Sequence, residues 1–447
     1  MKRIFFQTGG ADEAAAQLKE KILNSPDELT GKVVYYVSNK GDDSNPGTSP
    51  DKPIKTVKRA SELPLRSGNV VLFERGSVFR VDDALYLRGG VYYGAYGSGE
   101  KPTILGSVRD YADPEIWVLS DKQNIWETEL PYDEAGMMNF NNDTYIGHRR
   151  FSLEALSRNG DYYHDTENQI CYLYFDKGNP GEYFDNIEIA TTKELVFGQN
   201  VNHVSIENIC FKYGTFGAFT FGNNKEIKIK NCVMSWHGGR VYRFKGEESI
   251  RYGNAAEFWY RAYDIEVSHC FIDQVFDAAL TFQGCGDDRA EFNNIRFSDN
   301  LIEYCSMNIE FWAGQKDDPN PPVIEDICIE NNIIRFGGYG WGGIQRPDKG
   351  DQALFLAWNR LYDNMENFVV RNNIFDCADC NMVFAKSPNE QKGLQFYGNS
   401  YYQKAATGQH DYIQIVRDYD WIATNQEEFE KAVRMFEPSY KLVKWIY

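Results

Sequence analysis

Apolar and polar positions alternate in seven short segments of this chain. They read VSIENICF, IKIKNCVM, IEVSHCFI, IRFSDNLI, ICIENNII, FVVRNNIF and LQFYGNSY, and begin at Val204, Ile227, Ile265, Ile295, Ile327, Phe368 and Leu394. Each opens apolar–variable–apolar, turns a polar or glycine corner, and in most cases resumes with a second apolar pair. A period of two belongs to a strand with one buried face. The sixth position holds Ile209, Cys232, Cys270, Asn300, Asn332, Asn373 and Asn399, so four asparagines in succession share one corner. Asn tolerates left-handed backbone, and the pattern predicts that this corner residue adopts it. Equivalent corners at successive levels then stack amide upon amide. The starts are 23, 38, 30, 32, 41 and 26 residues apart. Such a repeat predicts an all-β solenoid with loops of variable length on its coils.

A second strand follows each corner: AFTF (218–221), AEFW (256–259), LTFQ (280–283), IEFW (309–312), GIQR (343–346) and MVFA (382–385). With the apolar members inward, alternation turns Thr220, Glu257, Thr281, Glu310, Gln345 and Val383 outward on one wall. Parallel strands stack about 4.8 Å apart, which puts Glu257 and Glu310, two coils apart, about 9 to 10 Å from each other. Asp277 precedes the intervening strand and projects beside them, while Trp259, Gln283 and Trp312 share the face. Glycoside hydrolysis needs one carboxylic acid to protonate the leaving oxygen and one carboxylate as base or nucleophile. Glu257, Asp277 and Glu310 are therefore the candidate catalytic residues. A lone exposed Glu is ordinarily a solvated charge; the EFW context repeated around both is what singles these out. Adjacent-coil spacing fits a retaining enzyme and the Glu257–Glu310 spacing an inverting one, so spacing alone does not choose.

Two loops are expected to overhang this wall. WHGGRVYRFKGEE carries His237 and Arg240; His237 is a candidate donor to a sugar hydroxyl, or a satisfied loop histidine. GGYGWGGIQRPDKGD (337–351) reads as a tight bend presenting Trp341, Gln345, Arg346 and Asp348. Its GxGxxG spacing is followed by Pro347 rather than a helix, a poor dinucleotide site. Arg346 suits either a sugar carboxylate or the steadying of a catalytic acid.

Composition narrows the partner. The formal net charge of −18 argues against nucleic acid or an anionic membrane, both of which select basic surfaces. Aromatics reach 15%, with 29 Tyr, 29 Phe and 9 Trp. Part of them fits stacking inside the coils, and the surplus fits sugar rings. Carbohydrate is the expected partner; the oligomeric state stays open. Nine Cys are scattered singly apart from the CxxC of Cys377 and Cys380, and His148, His164, His203, His269 and His410 lack ligand spacing, so neither zinc nor another metal is expected. Asp287–Asp288 and Asp317–Asp318 offer oxygens to Ca2+, with solvated turns the simpler account. The N-terminus lacks the apolar stretch of a secretory signal and no segment is long enough to span a bilayer. With the free cysteines this points to the cytoplasm of a bacterium, or to secretion if a leader was removed.

Residues Val33 to Leu63 contain Tyr36-Val37-Ser38, Gly41, Asp43, Asn45-Pro46-Gly47-Thr48-Ser49, Lys52-Pro53 and Lys55-Thr56. This stretch resembles the opening of right-handed parallel β-helix proteins of the pectate-lyase-like superfamily. GDYYHDTENQICYLYFDKGNP, read as a hairpin turning at Asp165 to Asn168, is similar to an inserted subdomain of β-helix glycosidases. The resemblance implies a parallel β-helix organised as an N-terminal helix and lead-in (1–32), a cap with first coils (33–106), an inserted β-rich subdomain (107–186), the main coils (187–404) and a C-terminal cap (405–447). Helices are expected at 11–24, covering an end of the solenoid, at 56–63, and at 426–436. The implied activity is hydrolysis of a plant or microbial glycan. A polysaccharide lyase or epimerase acting on a uronate is the alternative, kept open by His237, Arg346 and Lys349, and a non-catalytic glycan binder comes last. The chain lacks the stacked Asp and Arg motifs of pectate lyases and the Asn-Thr-Asp, Asp-Asp, Gly-His-Gly and Arg-Ile-Lys set of polygalacturonases, so those catalytic residues do not transfer.

Overall fold

A computed structural model of the chain describes residues 1–27, 33–246, 248–284, 289–313, 320–347, 349–350, 352–357, 365–385, 393–406, 413–416 and 422–447. The acid pairs Asp287–Asp288 and Asp317–Asp318, together with Asp348 and His410, lie outside the described residues. No helix among the described residues is long and apolar enough to cross a membrane.

Each of the seven repeats lays down one strand, turns at the corner, and lays down a second against its counterparts in neighbouring coils. Val204, Ile227, Ile265, Ile295, Ile327, Phe368 and Leu394 pair in parallel register from coil to coil. After the corner, Phe211, Met234, Ile272, Ile302, Ile334, Phe375, Tyr401 and Val443 form a second parallel column. A third wall is built by the opening halves of Gly217–Lys230 and Asn254–Ser268, which run on into the first wall, and by Ala278–Gly284, Met307–Ala313, Ala353–Ala357 and Asn381–Ala385. The chain is thus a parallel β-helix of three walls around one continuous apolar core. Inside it, Phe221 stacks on Phe258 at 5.2 Å and Phe282 packs at a tilt on Phe311 at 4.7 Å between ring centroids. A fully buried aromatic is worth several kcal/mol, and this stack locks the pleat of the third wall, so the residues beside each Phe must face out.

The corner differs from its sequence reading in one respect. Left-handed backbone falls on the fifth position of the repeat, at Asn208, Asn231, His269, Asp299, Asn331, Asn372 and Gly398. The sixth position is instead buried and forms a ladder. Asn300 Nδ2 donates to Asn332 Oδ1 (2.9 Å), Asn332 to Asn373 (3.0 Å), Asn373 to Asn399 (3.1 Å), and Asn399 to Glu437 Oε2 (2.9 Å). Each amide also donates to a carbonyl of the coil before, and each oxygen accepts a backbone N–H of that same preceding coil. Every polar valence of these buried amides is used. Asn332→Ala leaves the Phe297 carbonyl, the Asn300 backbone N–H and one hydrogen of the Asn300 amide short of partners, and is expected to lower the unfolding free energy by about 1–3 kcal/mol. Urea denaturation checks this, and an unchanged midpoint would refute it.

Helix Val57–Ser61, capped by the Thr56 side chain on Arg59 N–H, contributes Val57 and Ala60 to the core. Helix Gln426–Phe436 contributes Phe429, Val433 and Phe436. Helix Asp12–Leu23, expected at an end, lies along a flank instead: Ala15 and Ile22 pack on Val233, Phe271, Leu301 and Ile333. Those four follow the corner directly and face outward, an apolar stripe that needs a cover. Between Thr103–Leu105 and Glu194–Gln199 the chain leaves the coils to build two small sheets. One contains the hairpin Asp161–Asp165/Ile170–Tyr174, with Asp165 Oδ1 accepting from Glu167 and Asn168 N–H at the turn. The other recruits Lys2–Arg3 from the N-terminus.

Candidate active site

Thr220, Glu257, Thr281 and Glu310 occupy one register column on the outer side of the third wall. Gly222, Trp259, Gln283 and Trp312 form the column beside it, both tryptophans half-buried. The other two residues expected in the first column are elsewhere. Gln345 belongs to the short helix Trp341–Gln345; the strand of that coil is Ala353–Ala357, reached only after the loop. Val383 pairs with Phe355, which pairs with Ile309, so it faces the core.

Asp277 sits at the entrance to its strand, where the loops from the second wall return. Arg346 Nη1 donates to its Oδ1 at 3.0 Å and Lys349 Nζ to the same atom at 3.2 Å. Burial works to raise the Asp277 carboxyl, but Lys349 and Arg346 outweigh it and hold it below the ordinary range. Glu310 lies one rung on. It accepts from Thr281 Oγ1 at 3.0 Å and Gln283 Nε2 at 2.7 Å. Burial, and then the charge of Asp277, push its carboxyl up to about 7. Glu257 accepts from Tyr252 Oη, from Asn254 Nδ2 at 2.9 Å and from Thr220 Oγ1 at 3.2 Å. Burial raises it too, partly offset by these donors. Asp277 and Glu310 each keep 8% of their surface exposed, whereas Glu257 keeps none. Only the first two can meet a solute directly.

The loop residues divide. Arg346 steadies Asp277, bonds the Phe276 carbonyl and Ser306 Oγ, and lies 3.9 Å over the Phe276 ring. Both of its Nη groups are engaged by these partners, so the fork points at Asp277 and its surroundings. His237 is wholly buried rather than overhanging: Nδ1 accepts from Gly214 N–H and Nε2 donates to Phe211 O, and burial lowers its pKa to about 3. Trp341 is also interior, its indole N–H on Gln274 O at 2.8 Å and its ring on Phe276. Gln345 bridges Arg251 and Gly147 O, and Arg240 pairs with Asp133 of the inserted subdomain. These four hold the loops together and do not line the acid column. Glycine explains the misreading: Gly340 and Gly342 press on the Tyr304 and Phe276 carbonyls with no room for a Cβ, so the bend packs inward rather than presenting its side chains.

Tyr252 and Asn254 are the residues that sequence reasoning passed over. Gly253 between them, at φ +148°, touches Gly238, where an added Cβ would lie 2.1 Å from the Cα. The available signal was the spacing of Gly238-Gly239 and Gly253 around a charged hairpin just before AEFW. A cavity of about 640 Å3 in the inserted subdomain, lined by Tyr111, Glu127, Glu129 and Tyr132, shares no residue with the acid column. Among the described residues no group of His, Cys, Asp and Glu is arranged to hold a metal.

No protein-family model and no curated protein matches the sequence. Solved structures resemble it in fold. A protein described as a glycoside hydrolase is 11% identical, with 93% of this chain and 96% of that one covered at a TM-score of 0.47. XylC, solved in complex with xylose, is 13% identical over 86% of this chain and 70% of its own, at 0.46. Pectate lyase Pel9A is 11% identical over 87% and 78%, at 0.36.

Proposed function

We propose that the chain hydrolyses glycosidic bonds of a plant or microbial glycan on the third wall, with Glu310 as general acid and Asp277 as its ionised partner. The observation that carries this reading is the divided protonation of two adjoining carboxylates. Glu310 is pushed up to about 7 while Asp277 is held down by two cations. Environments that separate two acids in this way supply one proton donor and one carboxylate at the same pH. Glu310 gives its proton to the leaving oxygen, and a water proton later restores it. Asp277 either takes the proton of the attacking water or attacks the anomeric carbon itself, and the anomer of the first product distinguishes the two. Trp259 and Trp312 offer apolar faces to the sugar rings. The lyase alternative loses ground because Arg346, its candidate for neutralising a uronate, is committed to Asp277.

Hydrolysis of a polysaccharide panel should release reducing ends without the near-ultraviolet absorbance of an unsaturated product; such absorbance would overturn the reading in favour of elimination. The pH profile follows from the same pair. Activity needs Asp277 ionised and Glu310 protonated, so kcat/KM rises at acid pH as Asp277 loses its proton and falls as pH climbs through about 7. The two limbs belong to the pair jointly. A rate still rising above pH 8 would contradict the assignment.

A further inference from the structure

We infer that Tyr252 closes the groove on one side of the acid pair and makes the protein an exo-acting enzyme that removes single sugars from a chain end; this rests on the hydrolase reading above. An outward carboxylate on a solenoid wall is ordinarily wet, yet Glu257 is fully covered. Tyr252 is part of its cover, with Asn254, Thr220 and Trp259. The phenol donates to Glu257, accepts from Asn254 Nδ2 at 2.7 Å, and lies 3.5 Å from Gln283 Oε1. It therefore reaches across both outward columns. Phe216, with its ring centroid 4.7 Å away, and Tyr242, at 6.5 Å, thicken the obstruction.

The barrier is anchored rather than loose. Arg251, next in the chain, donates to Gly239 O at 2.9 Å, to Gln345 Oε1 at 3.0 Å and to Gly136 O at 3.3 Å, and stacks 4.5 Å from the Phe276 ring. Hairpin, inserted subdomain and the Trp341–Gln345 helix are tied together at that one guanidinium. On the other side of Tyr252, Gly253 packs on the Gly238 backbone so closely that a Cβ would not fit. Register then sets the space. Gln283 stands on the rung of Thr281, one before Glu310, and its Nε2 donates to Glu310 Oε2 at 2.7 Å. The barrier therefore stands one side chain from the acid, and a glycan lying on the acid pair has no path onward along that side.

The test uses xylan, arabinan, mannan, galactan, β-glucan and polygalacturonate, each with free ends and with both ends chemically blocked. Wild-type protein is expected to release monosaccharide from the earliest time points and to leave end-blocked chains intact. Tyr252→Ala opens the groove, so internal fragments appear and end-blocked chains are cut. Tyr252→Phe keeps the ring and the wild-type pattern. Should Tyr252→Ala lose cooperative melting, Tyr252→Leu, which keeps the apolar contact with Phe216, takes its place. Wild-type cleavage of end-blocked chains, abolished by Glu310→Gln, overturns the exo inference and leaves the hydrolase standing. If no polymer is cleaved, both fall.

Discussion

Glu310→Gln is expected to lower hydrolysis of a natural glycan by at least about 100-fold, within the 10²–10⁴ range that a positioned proton donor contributes. The amide fills the same space and can still pair with Thr281 and Gln283, so the loss reads chemistry rather than folding. The substrate's leaving group provides the internal control. An alkoxide must be protonated as it departs, whereas an activated aryl group such as dinitrophenolate departs as a stable anion. The variant should therefore retain much more of its rate on the aryl glycoside. Equal losses on both substrates would show that Glu310 does something other than donate a proton.

Arg346→Met should be nearly as damaging, by a different route. It removes one of the two cations on Asp277 and its bonds to the Phe276 carbonyl and Ser306. Breaking a buried ion pair costs about 3–5 kcal/mol because the remaining charge is left without compensation; thermal unfolding measures it. The surviving protein should also show a displaced pH profile. With Lys349 alone opposing burial, Asp277 gains its proton more readily, so the acid limb moves to higher pH. In the active form Asp277 is still ionised, and with one cation fewer beside it its charge presses harder on Glu310, so the alkaline limb moves up as well. A bell displaced to higher pH is the signature; an unchanged profile with a lowered melting temperature would make Arg346 a structural residue only.

The coils were legible in the sequence because a buried wall enforces strict alternation. Phe221, Phe258, Phe282 and Phe311 each sit one residue from an outward position, and their spacing alone placed Thr220, Glu257, Thr281 and Glu310 in one column. The same logic failed at GIQR. Its alternation of Ile344 with Gln345 imitates a strand, but the segment is the end of a short helix, and the wall of that coil resumes at Ala353. Loop length is not written in alternation. Nor is the fate of a polar side chain in a loop: His237 and Gln345 carry the chemistry of a binding site and spend it on backbone carbonyls and a guanidinium. The corner shows a subtler limit. Successive Asn-Asn pairs make fifth and sixth positions alike in composition, and only burial separates the bent residue from the stacked one. Tyr252 was hidden for the opposite reason, since a tyrosine beside a glycine is commonplace until the fold lays it over a carboxylate.

The amide ladder has a direction. From side chain to side chain, each amide gives one hydrogen to the next rung and its oxygen takes from the rung before, so the series must end on a group that only accepts, and Glu437 is that group. A whole coil added or removed between Asn300 and Asn399 would join head to tail with its neighbours and reach the same terminus. The molecule can thus change in length through its middle without either end being rebuilt, whereas a coil appended beyond the final helix would meet a carboxylate with nothing to offer it.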